Sequence, residues 1–167
     1  MQLLEQIIPV LIENGWQLDR IYAVMDSWFS SRDVLSRLRE KGYNFRTDGK
    51  KNYLVQKPDR DRIKSRGKKK RGRPCKRFVK YVSIAEFLGD PLSWNYFTCP
   101  FSGKTVRYRI ATVTLKAGGR VRIHAYLREG CKNPRYILTN AVYKHPPSAV
   151  TVYRDYYHRW PIEEAHR

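Results

Sequence analysis

The sequence predicts an α/β fold, on three observations. Its first 57 residues pass through a helical period, a short apolar run, a second helical period and further strand-like runs. Its later half turns to the alternation of two that marks strands. And 167 residues that are 41% hydrophobic suffice for one ordinary domain, or for a small core with an insertion.

In chain order, Leu3, Leu4, Ile7, Ile8 and Leu11 fall at helical spacing, with Pro9 as an expected kink and Asn14-Gly15 as the stop. Ile21 to Met25 is a continuous apolar run, the mark of a buried strand, and it stops at Asp26. Ser30 and Asp33 form an S-x-x-D start signal for a helix whose stripe is Val34, Leu35 and Leu38 and whose stop is Gly42. Tyr43 to Arg46 and Tyr53 to Val55 read as two strands around an Asp48-Gly49 turn. The character changes near Pro58: between Arg60 and Lys80 a dozen Lys and Arg residues crowd together. Val106 to Leu115 and Val121 to Tyr126 then alternate around Gly118-Gly119, a hairpin signal, and Tyr136 to Thr139 offers a third strand. From Ser148 to Arg167 the composition is helical, interrupted by Pro161. The expected organisation is a first core part over 1–57, a basic β-rich insertion over 58–140 and a return to the core over 141–167.

Charge narrows the function. The chain carries 34 Lys and Arg against 15 Asp and Glu, a formal +19. A field of that size attracts polyanions, and nucleic acid is the usual partner, because each neutralised phosphate releases condensed counterions. No apolar run approaches the roughly 18 residues of a membrane span, and no signal-peptide pattern opens the chain, so the expectation is a cytoplasmic, nucleoid-associated protein without a membrane partner. An anionic membrane surface is the lesser alternative and lacks a basic amphipathic helix to support it. Cys75, Cys99 and Cys131 form no C-x-x-C pair, and His124, His145, His158 and His166 show no metal-ligand spacing with them.

Two places carry candidate chemistry. Asp26 follows an apolar strand directly, and ligand sites in α/β sheets collect outside the carboxyl ends of strands; the plainer reading is an Asp that opens a loop. In the tail, Tyr156, Arg159 and Glu163 fall at i, i+3 and i+7, one face of a helix, where a carboxylate could hold a metal beside groups that hold a phosphate. The plainer reading there is an ion-paired helix surface.

These residues also carry a resemblance. The tail, Tyr156, Arg159 and Glu163 with Arg159-Trp160 and Ile162-Glu163-Glu164 around them, resembles the Y-x2-R-x3-E-x6-K signature of DD(E/D) transposases from bacterial insertion sequences. Val24-Met25-Asp26-Ser27-Trp28-Phe29-Ser30-Ser31 is similar to that family's second-Asp motif, and a basic, β-rich stretch separates the two. The resemblance implies a partial RNase H-like core, made of its later strands and the Glu helix and interrupted by the insertion. It implies Asp26 and Glu163 as catalytic Mg²⁺ (or Mn²⁺) ligands, with Tyr156 and Arg159 on DNA phosphate. The implied activity is metal-dependent phosphodiester hydrolysis and strand transfer on transposon ends and target DNA. The signature Lys would fall at position 170, and the family's first Asp has no counterpart before Asp26. The expectation is therefore a C-terminal fragment, inactive alone, that needs a missing N-terminal half or a homodimer partner. The rival is a non-catalytic DNA-binding fragment that inhibits transposition; an RNA-binding protein of ribosomal type is a second rival.

Arg71-Gly72-Arg73-Pro74, flanked by Lys68, Lys69, Lys70, Lys76 and Arg77, is similar to an AT-hook core, which would lay arginines in a narrow minor groove. Read by composition alone, the same tract grips phosphates without sequence choice. Trp94, Tyr96 and Phe97 are available either for stacking on an unpaired base or for packing within the insertion.

Overall fold

The computed structural model describes residues 2–18, 21–26, 31–58, 79–116, 119–140 and 147–157, and there it is an α/β protein with one mixed sheet. In chain order the elements are α1 (Gln2–Glu13), β1 (Tyr22–Met25), α2 (Arg32–Glu40), β2 (Asn44–Gly49), β3 (Leu54–Pro58), β4 (Val79–Ser83), α3 (Ile84–Leu88), a 3-10 turn (Pro91–Ser93), β5 (Asn95–Thr98), β6 (Thr105–Leu115), β7 (Gly119–Arg128), β8 (Arg135–Asn140) and α4 (Ala149–Tyr157). The strand order is β1-β2-β8-β7-β6-β3-β4, with β5 added on β6. β1 and β2 run parallel and every other described pairing is antiparallel.

α2 begins where a serine hydroxyl accepts an orphan amide, but the cap is Ser31, bonded by the Val34 N–H at 3.4 Å. That lies one residue later than the Ser30 start read from sequence, because Ser31 holds the extended backbone a cap requires. The helix ends at Gly42, whose φ of +70° lets the Tyr43 N–H turn back to the Leu38 carbonyl at 2.8 Å. Leu35 and Leu38 are fully buried, as the apolar stripe requires.

Asp48-Gly49 is not a turn. Both residues belong to β2, with Asp48 opposite Ile137 and Gly49 opposite Tyr136, and β2 does not pair with β3. The glycine serves a close approach: a Cβ there would meet the Leu138 side chain at about 3.0 Å. The chain turns at 51–52 instead, and β3 goes to the other end of the sheet, between β4 and β6. The strands of the 58–140 stretch thus extend the same sheet that β1 and β2 begin. The β6–β7 hairpin forms as its alternation predicts, with Leu115 opposite Gly119, and β8 supplies the third strand. Unforeseen were β4, α3 and β5, although Ser83 caps α3 by accepting the Glu86 N–H at 3.1 Å, an S-x-x-E signal present in the sequence.

The two faces of the sheet differ. One face, under α2 and α3, is mostly apolar: Ala23, Phe45, Val55, Val82, Val113, Val121, Ile123 and Leu138 pack with Leu35, Leu38, Ile84 and Leu88, beside the buried polar Thr47 and Asn140. Trp94 joins this core and donates its indole N–H to the Leu88 carbonyl at 3.3 Å, so it is a packing residue. The other face, under α4, holds Val106, Tyr126, Ile137, Ala149, Val152 and Tyr156, with Phe97 packed beside them, and also buried polar groups. Tyr96 is exposed.

Candidate functional site

Asp26 follows the last residue of β1, at the carboxyl end of the parallel pair. Its backbone carbonyl accepts the Thr47 hydroxyl at 3.0 Å, a bond that fixes the chain where the strand stops. Met25 pairs with Thr47, so the next residues along the two strands are Asp26 and Asp48. Adjacent strands lie about 4.8 Å apart, which sets two carboxyl-bearing residues side by side at one sheet edge. Sequence reading missed Asp48 because Asp-Gly reads as a turn; only the pairing with β8 reveals it as a strand residue.

Alternation puts Asp48 on the same face as Arg46, the face that α4 covers. Arg46 is 3% exposed, lies over the Tyr22 ring at 4.1 Å and forms an ion pair with Asp155 of α4. Asp155 also accepts from Arg154 at 3.3 Å. A buried guanidinium needs such a partner, and this pair ties α4 to the strand beside β1.

Tyr156 is 2% exposed and packs with Val106, Tyr126, Ile137 and Val152. It also lines a cleft of about 260 Å³ together with Arg128, Arg135, Asn133, Cys131, Tyr153 and Tyr157. Tyr157 stacks on Phe101, in the turn between β5 and β6, at 6.1 Å. Val106, just past that turn, pairs with Arg128 at the end of β7, and β7 runs in the same direction as β2. The cleft, the end of α4 and Asp26 therefore share one edge of the sheet. Burial pushes the hydroxyls of Tyr126 and Tyr153 upward, so these cleft phenols stay protonated.

Further along the same face His124 is completely buried, and neither ring nitrogen has a hydrogen-bond partner among the described residues. Burial, then the charges of Arg122 and Arg46, push its pKa down to about 3, so it is neutral in the folded protein.

Of the residues read from sequence, the structure describes Asp26 and Tyr156. Arg159, Glu163 and the tract Lys68, Lys69, Lys70, Arg71, Arg73, Lys76 and Arg77 lie outside the described residues, as do Cys75, Pro161 and Glu164. Among the described residues no three His, Cys, Asp or Glu side chains gather into a group able to hold a metal. Asp26 and Asp48, next to each other in register, carry hard carboxylate oxygens of the kind Mg²⁺ and Mn²⁺ take. Cys99 is buried, Cys131 exposed, and both are free thiols. No described helix is long and apolar enough to cross a membrane. Comparison with family models, with curated proteins and with solved structures finds no match.

Proposed function

We propose that the chain is part of a DNA transposase of the DD(E/D) class, with an RNase H-like core, acting on DNA phosphodiesters with a divalent ion. One observation carries the reading: Asp26, at the carboxyl end of β1, shares a sheet edge with the end of α4, from which the chain continues toward Glu163. Glu163 lies six positions beyond Tyr157, and an extended residue spans about 3.5 Å at most. From a helix packed on β7, three strands or about 14 Å from β1, that reach is ample. Asp26 and Glu163 would hold the metal. When bound, such ions activate the attacking oxygen and stabilise the leaving one.

The chain's own residues supply the rest. Arg46 and Asp155 hold α4 against the sheet, which orients the start of the tail. Arg128 and Arg135 give the cleft two cations, and Tyr153 and Tyr157 give it aromatic walls, a combination suited to a nucleic-acid strand. Arg159 and the Lys68–Arg77 tract add phosphate contacts, and the formal +19 steers the chain to DNA.

Fluorescence anisotropy with duplex DNA at constant ionic strength tests the reading. Binding should weaken steeply with salt, and Mn²⁺ should tighten it. Asp26→Asn and Glu163→Gln should keep the basal binding and lose the Mn²⁺ increment. A chain that fails to bind duplex DNA, or whose Mn²⁺ increment survives both substitutions, is not this enzyme.

A further inference from the structure

The sheet face under α4 buries more polar nitrogen than its described partners use. Arg46 of β2 and Arg122 of β7 both stand opposite Thr139 of β8, one on each side, so the three form a row across adjacent strands. Directly opposite residues share a face, and two strand spacings set the arginine backbones about 10 Å apart. His124, two residues along β7 from Arg122, falls on that face as well. Thr139 and His124 are fully buried, and the Thr139 hydroxyl makes one long bond, to the Asn140 carbonyl at 3.4 Å. The Nε atoms of Arg46 and Arg122 and both ring nitrogens of His124 are shielded from water and have no hydrogen-bond partner among the described residues. Buried donors are almost always bonded, so a group of them at one place points to a ligand.

We propose that this row is an anion site that takes a phosphate group, held by Arg122 and Arg46 from two sides, by the Thr139 hydroxyl between them and by a ring N–H of His124. Charge selects the ligand. Asp155 engages Arg46 through Nη1, whereas Arg122 has no carboxylate partner among the described residues, and the charges that act on His124, those of Arg122 and Arg46, are both positive. Water would satisfy the nitrogens and leave that positive potential in place; an oxyanion answers both. Donors that approach one point from several sides suit the tetrahedral oxygens of phosphate, and a guanidinium fork binds such oxygens in pairs. Arg122 is only half-buried, and Thr112, opposite it on β6, is exposed, so the row opens to solvent at that end. The site is separate from the cleft at Arg128, which lies six residues or about 20 Å further along β7. The group it takes is free phosphate or the terminal phosphate of a nucleotide.

Calorimetric titration of inorganic phosphate into the full chain, without DNA or Mn²⁺, tests this in about 0.5 M NaCl, which screens exposed cations far more than buried ones. The expected result is saturable binding, with the His124 ring-nitrogen resonances (assigned by their loss in His124→Phe) shifting along the same curve. Arg122→Gln should weaken phosphate about tenfold or more. Arg122→Lys, which keeps the charge and loses the fork, should also weaken it, and it carries the test if Arg122→Gln does not fold. Arg109→Gln removes the same charge from the opposite face, where Arg109 donates to the Leu88 carbonyl at 2.6 Å, and should leave the affinity within about twofold. Near-ultraviolet circular dichroism checks that each variant keeps the fold. A nucleoside 5′-monophosphate in place of phosphate separates the two sources: tighter binding assigns the site to a nucleotide's terminal phosphate, weaker binding to free phosphate. No saturable binding, His124 resonances indifferent to bound phosphate, or native affinity in both Arg122 variants overturns the proposal, and leaves the Asp26 and Glu163 reading untouched because the titration holds neither metal nor DNA.

Discussion

The two faces of this sheet are made by the same strands and do different work. Ile123 and His124 are neighbours on β7; one joins an apolar cluster beneath α2, the other is sealed beside Arg122 and Arg46 beneath the α4 side. Leu138 and Thr139 divide β8 likewise, as Phe45 and Arg46 divide β2. The apolar face is redundant: many side chains share one contact area, and its buried polar groups, Thr47 and Asn140, are hydrogen-bonded to the backbone. The polar face depends on particular partners, because a buried charge or ring nitrogen is tolerable only in one protonation state or one pairing. It is also the face that carries Asp48, Tyr156 and the cleft. Stability and candidate chemistry are thus separated by the thickness of one sheet.

Substitution tests that separation, beginning with the largest effect. Phe45→Ala empties a fully buried site on the apolar face and should cost about 3–5 kcal/mol in urea denaturation. Asp155→Ala strands the Arg46 guanidinium on the polar face and should cost about 2–3 kcal/mol, toward the low end because Asp155 keeps some water contact. Arg46→Met combined with Asp155→Leu should recover most of that loss; no recovery would mean that packing, and not the unpaired charge, sets the cost. The third test is pH. His124 stays neutral when folded but takes a proton near pH 6.5 when unfolded, so the unfolded state binds more protons between about pH 6.5 and 3 and stability falls as pH drops through that window. The His124 share should reach about 2 kcal/mol by pH 5, read as the difference in acid lability between the native chain and His124→Phe. Equal acid lability in the two would place His124 in contact with water. The smallest effect belongs to Ser31→Ala, about 1 kcal/mol from the lost α2 cap, with duplex-DNA affinity unchanged because that helix covers the apolar face.

What was legible in the sequence follows from range. α1, β1, α2 and the β6–β7 hairpin were readable because each is a local pattern: a stripe, an apolar run, an alternation with a glycine turn. Asp48-Gly49 was misread because its partner is β8, nearly ninety positions further on (about the longest-range pairing in the sheet), and no local signal announces that register. The same reason hid the polar face. Arg46 and Asp155 are ordinary charged residues in the sequence, and only the fold brings them together; His124 looked like one more unpaired histidine in a strand. Asp26 was legible, since an acid that ends an apolar run sits at a strand's carboxyl end by construction. Trp94 and Phe97 left two uses open in the sequence, and their packing decides for the core.

The most direct test of the functional reading is calorimetric titration of Mn²⁺ into the DNA-free chain. Saturable binding that is lost in Asp26→Asn and in Glu163→Gln, and kept in Glu164→Gln, is the predicted result. Mn²⁺ binding equal in the native chain and in both of the first two variants, or none at all, would contradict a metal site shared by those carboxylates.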